Sequence, residues 1–462
     1  MEQSSYGNEV RLMRKDLING RILNTLVIYS IPLIVTNVVQ ILFHAADVAI
    51  LSLMAGDLSV AAVGACGSLI TLLVSLCSGF ATGANILIAK RIGSKDETGV
   101  RRAVGTALVV GFCAGLFLMT VALIFAKRLL ILMQCQPDVL DMAVLYMKIY
   151  FLGMPFTMLY NFVAAILRAS GDSVRPMAYM LISGVLNVIL NVLFVGVLDL
   201  TVAGVAIATV LSNVTSLVMG LTALIRNHGI CKIELRQLRI RRLEFFEMLK
   251  IGVPASSGGL CFYVSNVIIS STVNSMSTEV MTANAIAGQF DGFVYTVGNA
   301  IALATMTMVG QNFGAGRFDR IRKTVKTSAL YATAVSLSLG FVFVLLAETL
   351  LNIMTDSAAV VSIAKERMIF LCLTYFITGI MEVLSFTLHA LRRQKYVLIV
   401  CAVCGFGVRS CWVWFVWPLH QTLSMLFASY AVSALIAILF YVFMYRSTMR
   451  EYERDSAYIS QS

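Results

Sequence analysis

Residues 31–56 read IPLIVTNVVQILFHAADVAILSLMAG. Ile, Leu, Val and Ala fill most positions, the composition of a helix made for hydrocarbon, where a span takes about 20 apolar residues. Asn37, Gln40, His44 and Asp47 interrupt it at intervals that place all four on one helical face. Lipid does not tolerate such a stripe, so the polar face turns to a cavity or a partner helix. A carboxylate among apolar side chains holds a proton or a metal ion instead of standing bare. Asp47 is therefore the leading candidate for a site that binds and releases a cation, with Asn37, Gln40 and His44 as cavity or substrate candidates. Pro32 lies on the same helix and removes one of its hydrogen bonds, which makes it either a bending point or a tolerated kink.

The rest of the chain has the same character. Its 462 residues are 59% hydrophobic and 13% charged, with a mean hydropathy of +0.87. A soluble domain is roughly 45–50% apolar and about 25% charged. That excludes a water-soluble globular enzyme, a disordered chain and a fibre, and predicts an all-α integral membrane protein. The 6 prolines and unbroken apolar runs favour helices over barrel strands. Apolar runs between charge clusters predict twelve transmembrane helices near 24–51, 58–88, 103–126, 139–167, 174–197, 201–225, 246–272, 279–310, 324–348, 360–388, 396–417 and 421–445.

Charge then sets orientation. If successive loops alternate sides, only Lys127, Arg128, Lys148, Lys365 and Arg367 of the 35 basic residues leave the side of the N-terminus, and Arg409 falls inside a helix. The basic side is cytoplasmic, so both termini are expected inside a multi-pass cell-membrane protein. The net charge of +11 is thus topology, with no nucleic-acid partner expected. The opening MEQSSYGNEVRLMRKDLINGR lacks the apolar core of a signal peptide. Cys401 and Cys404 form a C-x-x-C without the second pair or histidine that a zinc set needs. No phosphate-binding glycine loop, H-E-x-x-H or Ser-His-Asp set is present. Neither an enzyme nor a bound cofactor is expected.

The halves repeat. Ala89-Lys90-Arg91-Ile92-Gly93-Ser94 aligns with Gly310-Gln311-Asn312-Phe313-Gly314-Ala315 at an offset of 221 residues, which also pairs Asn161 with Glu382 and Ala169 with Ala390. Pro32 meets Pro254 one residue further on. Six helices return the chain to its starting side, so the repeats share one membrane orientation, as in alternating-access carriers with a cavity near the midplane. The expected organisation is a cytoplasmic segment 1–22, an N-lobe 23–226, a cytoplasmic linker 227–244, a C-lobe 245–445 and a cytoplasmic tail 446–462, giving two pseudo-symmetric six-helix bundles.

Further polar residues fall inside these helices. Ser183, Asn187 and Asn191 form a stripe on the fifth, which Asn161 and Thr209 can join. Amide and hydroxyl oxygens beside one carboxylate suit a hard cation or a proton, and ordinary helix–helix hydrogen bonding is the equal alternative. Glu382 and Arg409 lie at similar depth on the tenth and eleventh helices and are expected to form an ion pair, structural or gate-coupled. Asp291 shares a face with Asn284, Tyr295 and Asn299, and the seventh helix offers Tyr263, Asn266, Ser270 and Asn274. Of these, Tyr263, Asn266, Asp291 and Tyr295 are further cavity or substrate candidates.

These residues resemble the multidrug and toxic compound extrusion (MATE) family of prokaryotic type over nearly the whole chain. The segments that carry the resemblance are the opening stretch, AAILRASGDSVRP, LNVILNVLFVGVLDLTVAGVAIAT, MVGQNFGAGRFDR and GIMEVLSFTLHAL. The resemblance implies a V-shaped pair of bundles that exports amphipathic or cationic small molecules in exchange for H⁺ or Na⁺. A monomer in the lipid bilayer is expected. Asp47 matches the family's acidic position, and Asn161, Asn187 and Thr209 match polar members of its N-lobe cation site. Asp47, Asn187 and Thr209 would be the metal ligands only with Na⁺. Asn191 stands where many prokaryotic relatives carry aspartate, a departure that weighs against Na⁺. The seventh helix lacks the glutamate of another branch, and Glu382 matches an acidic position of the tenth. A lipid or lipid-linked oligosaccharide flippase of the same superfamily is the alternative.

Overall fold

In the computed structural model, α1 (Ile22–Ala55) is a single helix that runs through Pro32 without interruption. The structure describes residues 16–133, 135–226 and 229–461. Most of the expected N-terminal segment, with Arg11, Arg14 and Lys15, lies outside the described residues, as does His228. After α1 come α2 (Asp57–Gly93), α3 (Glu97–Leu132) and α4, in two segments (Pro137–Leu152 and Met154–Ala169) bent by 48°. Then follow α5 (Val174–Val197), α6 (Thr201–Ile225), α7 (Arg242–Asn274), α8 (Thr278–Gly314), α9 (Phe318–Leu345), α10 (Ala358–Ala390), α11 (Gln394–Leu419) and α12 (Leu423–Gln461). Among the described residues there is no strand. Among the described residues, eleven helices are individually long and apolar enough to cross a membrane, and bent α4 makes twelve.

The internal repeat is written in the helix ends. Adding 221 carries the start and end of α2 onto those of α8, the start of α3 onto that of α9, and both ends of α4 onto those of α10. Left-handed residues coincide at two of the turns. Lys95 (φ 57°) and Gly316 (φ 69°) follow α2 and α8, and Gly171 (φ 87°) and Arg392 (φ 62°) follow α4 and α10. Each turn closes through the same six-to-one hydrogen bond, Asp96 N–H to Arg91 O at 3.0 Å in one half and Arg317 N–H to Asn312 O at 2.9 Å in the other.

The compact units do not coincide with the expected lobes 23–226 and 245–445. Among the described residues, one unit holds Asp16 and those within 35–256, the other those within 17–34 and 257–461. The breaks fall two residues after Pro32 and two residues after Pro254. Packing explains the division. Leu26, Tyr29 and Leu33 from the start of α1 are buried against Ala300, Ala304 and Met308 of α8. Met248 from the start of α7 joins the core of Leu87, Val104 and Phe162. There a Cβ added to Gly83 of α2 would lie 2.6 Å from the Met248 carbonyl oxygen, so only glycine permits the approach.

The expected linker is part of the first unit. Arg101 pairs with Glu234, and Thr106 Oγ1 both donates to Arg239 O and accepts from Arg241 N–H, each at 3.3 Å. Arg91 at the end of α2 reaches Asp96, Glu244 and Glu247 at 3.0, 3.6 and 3.3 Å. The expected tail is helical, continuing α12 to Gln461. Glu451 and Glu453 hold it through ion pairs to Arg393 and Arg322, a support that hydropathy does not register.

Candidate functional site

In the first unit, Asp47 is half-buried on α1 and faces α5. Its Oδ1 accepts a hydrogen bond from Asn191 Nδ2 at 2.5 Å, and the same amide nitrogen lies 3.3 Å from Asn187 Oδ1. Asn187 and Asn191 are buried, at 6% and 0% exposure. A hydrogen bond to a charged acceptor contributes about 1.5–3 kcal/mol. Asn191 Oδ1 is buried with no hydrogen-bond partner among the described residues. A buried orphan acceptor beside a carboxylate is where a proton or a hard cation gains most. The local helix favours this placement, because α5 changes from α to π geometry directly after Asn191, over Val192–Val197, and such turns recur at functional sites.

Other expected members of the site go elsewhere. Thr209 Oγ1 donates to Val205 O of its own helix at 2.9 Å. Ser183 pairs with Ser216 at 2.6 Å. Asn161 is half-buried without a hydrogen bond among the described residues. Asn37 is half-buried, and Gln40 and His44 are exposed along the same face of α1. Two tyrosines that sequence reasoning missed, Tyr146 and Tyr150 of α4, lie within electrostatic reach of Asp47. Their spacing by four was the available signal, masked by Lys148 between them.

The second unit departs from expectation more sharply. Glu382 and Arg409 do not form an ion pair. Glu382 accepts from the Tyr295 hydroxyl at 3.5 Å. Arg409 Nε donates to Ser433 Oγ at 3.0 Å, and its Nη1 donates to Asn266 Oδ1 at 3.2 Å and Ser265 Oγ at 3.5 Å. The guanidinium lies between Phe262 and Tyr430, 4.9 and 4.5 Å from their ring centres. Equal depth on adjacent helices fixed nothing about azimuth, and α11 turns Arg409 toward α7 and α12. The arginine sits on one α-helical turn between π-helical stretches Cys401–Val408 and Trp412–Val416.

Asp291 is also reassigned. It is 3% exposed and does not face an open cavity, because Arg367 of α10 covers it. The Arg367 Nε and Nη2 groups lie 2.9 and 2.8 Å from Asp291 Oδ2, Nη1 bonds Asn284, and the guanidinium stacks 5.0 Å from the Phe427 ring centre. Here is the buried pair that sequence reasoning assigned to other residues. Tyr295 and Asn266 remain exposed, and Tyr263 is half-buried.

Residues 32–193 and 254–411 match the MatE family model. "Probable multidrug resistance protein YoeA" of Bacillus subtilis is 26% identical over 91% of this chain and 93% of its own length. "Multidrug export protein MepA" of Staphylococcus aureus is 21% identical over 68% of each chain. Among solved structures, an outward-facing multidrug resistance MATE family transporter of the MOP superfamily is 21% identical, with a TM-score of 0.88 over 95% of this chain and 98% of that one. The Vibrio cholerae MATE transporter VcmN is 19% identical, with a TM-score of 0.87 over 93% and 97%. At these identities the likeness to the solved structures is one of fold.

Proposed function

The chain belongs to the MatE family, and on that premise we propose that it exports cationic, amphipathic small molecules from the cell by antiport with protons. The reading includes alternating access, a monomer in the cell membrane and both termini in the cytoplasm. The observation that carries it is the Asp47–Asn191 contact with its orphan amide oxygen. An ionised Asp47 only accepts, so Asn191 presents Nδ2 to it. A protonated Asp47 becomes a donor, and the unpartnered acceptor beside it is Asn191 Oδ1. Turning the amide over exchanges the two groups and withdraws Nδ2 from Asn187. Protonation thereby changes the bond between α1 and α5. Pro32, where α1 leaves one compact unit for the other, is the proposed point at which that change bends the helix.

Antiport requires that the two states hold the ion unequally, or nothing is driven. The proton is preferred over Na⁺ for a structural reason. Asp47 supplies a single carboxylate, and no group of three His, Cys, Asp or Glu residues occurs among the described residues. Na⁺ would have to use Asp47, Asn187 and Asn191 oxygens, since the Thr209 hydroxyl is turned to its own helix. The test is counterflow of a cationic dye in proteoliposomes, with a pH or Na⁺ gradient imposed one at a time. Uptake driven by the pH gradient and lost in Asp47→Asn is expected. Drive by Na⁺ alone, or an unaltered Asp47→Asn protein, overturns the proton reading.

A further inference from the structure

Arg409 is 5% exposed inside a membrane span, yet each partner it has is neutral: two serines, one asparagine and two aromatic rings. A buried cation in a span normally has a counterion. Its Nη2 group has no hydrogen-bond partner among the described residues, although Nε and Nη1 are both engaged. The guanidinium is clamped in a fixed plane with one nitrogen, Nη2, unspent, a charged N–H donor aimed as arginine aims one at an oxyanion. The neighbourhood opens outward. Asn266, which bonds Arg409, is exposed midway along α7, and Tyr295 of α8 is 41% exposed. Polar residues exposed in mid-span face water, not lipid tails. Tyr295 also lies within electrostatic reach of both Arg409 and Glu382, so aromatic surface surrounds the cation on the open side.

We propose that Arg409, held by Ser433 and Asn266 between Phe262 and Tyr430, is a substrate subsite for the oxyanion of an aromatic amphiphile, so that zwitterionic compounds bind as well as cations. This deepens the export reading and rests on it for the step of transport, but binding tests it separately. The probes are a xanthene dye carrying a free benzoate and the methyl ester of the same dye, which differ in one negative charge. Fluorescence polarisation measures both with the full-length protein in phosphatidylcholine nanodiscs.

The wild type is expected to prefer the free acid. That preference should fall about tenfold in Arg409→Gln and by a smaller factor in Arg409→Lys, which keeps the charge but loses the planar fork. An unchanged preference in Arg409→Gln, or equal weakening of acid and ester, overturns the proposal. If Arg409→Gln does not fold, Ser433→Ala keeps the charge and frees Nε. A drop of about threefold in preference is then expected, and no drop overturns it. A preference that persists in phosphatidylglycerol nanodiscs assigns the subsite to a carboxylate substrate. One abolished there assigns the same oxyanion chemistry to a lipid phosphate. Dye counterflow that fails while this preference stands would refute export and leave the subsite intact.

Discussion

Each compact unit holds an ionisable group, half-buried in one and buried in the other, beside a π-helical distortion of its fifth helix, but with opposite sign and opposite company. In the first, Asp47 is met by an asparagine on α5. In the second, the fifth helix itself carries the charge, Arg409, met by hydroxyl, amide and aromatic groups. Glu382 of the second half occupies the repeat position of Asn161, while the position equivalent to Asp47 is apolar, near Ile269. The ends of α2 and α4 and two left-handed turns are shared to the residue with α8 and α10, and charges are not. The repeat therefore preserves the backbone that positions the sites, and the chemistry has diverged on it.

The sharpest way to break this comparison is to remove each buried arginine of the second unit. Arg367→Met leaves Asp291 buried without its partner, and such losses cost about 3–5 kcal/mol. Arg409→Met strands no carboxylate, and Ser433 and Ser265 already donate to backbone oxygens, so a change below about 1 kcal/mol is expected. Unfolding followed by intrinsic fluorescence in detergent compares the two. If Arg409→Met is as damaging as Arg367→Met, Arg409 is structural and the contrast between the units collapses.

The next effect belongs to the first unit. A double-mutant cycle of Asp47→Leu and Asn191→Leu isolates their hydrogen bond from the loss of each side chain. A coupling of about 1.5–3 kcal/mol is expected for a charged acceptor. Additive single variants would mean that Asp47 and Asn191 do not hold each other, and the exchange of amide groups proposed above would have no starting state.

Much of this was legible in the sequence. Twelve spans follow from apolar runs, and the offset of 221 anticipated helix ends that hydropathy alone misplaced by several residues. Asp47, Asn187 and Asn191 are the residues whose spacing gave a stripe on each of two helices, and they meet. Thr209 and Asn161 were expected to join that group from neighbouring helices, and spacing cannot report which way a helix is rolled against its neighbours. Arg367 was hidden because Lys365-Glu366-Arg367 reads as a solvated charge run. Only the fold separates them, sending Lys365 outward to Glu348 at 2.9 Å and Arg367 inward to Asp291. The crossing of α1 and α7 between units was invisible for a similar reason. Hydropathy sees one helix through Pro32, not which core each end joins.

Smaller effects test whether the shared backbone is as equivalent as it looks. Lys95 and Arg392 hold a left-handed conformation that their repeat mates fill with glycine, and a side chain there costs about 1 kcal/mol. Lys95→Gly and Arg392→Gly should therefore stabilise by about that amount, and Gly316→Ala and Gly171→Ala should destabilise by as much.

The smallest effect separates the same two turns by pH. Asp96 opens α3 by accepting the Gly99 N–H at 2.9 Å, and this bond, with Arg91 nearby, holds its carboxyl below the ordinary value of 3.8. Its stabilisation is present above that value and is lost as pH falls through the lower folded one. The repeat position is Arg317, which makes no such cap on α9 and instead donates to Ile18 O and Asn19 Oδ1 at 3.1 and 2.8 Å. Lowering the pH from neutral to about 3 should reduce hydrogen-exchange protection, taken relative to the intrinsic rate at each pH, at Thr98 to Arg101 and leave that of Asp319 to Arg322 unmoved, and Asp96→Asn should remove the difference. Equal loosening at both turns would show that acid acts on the whole bundle and not on this cap.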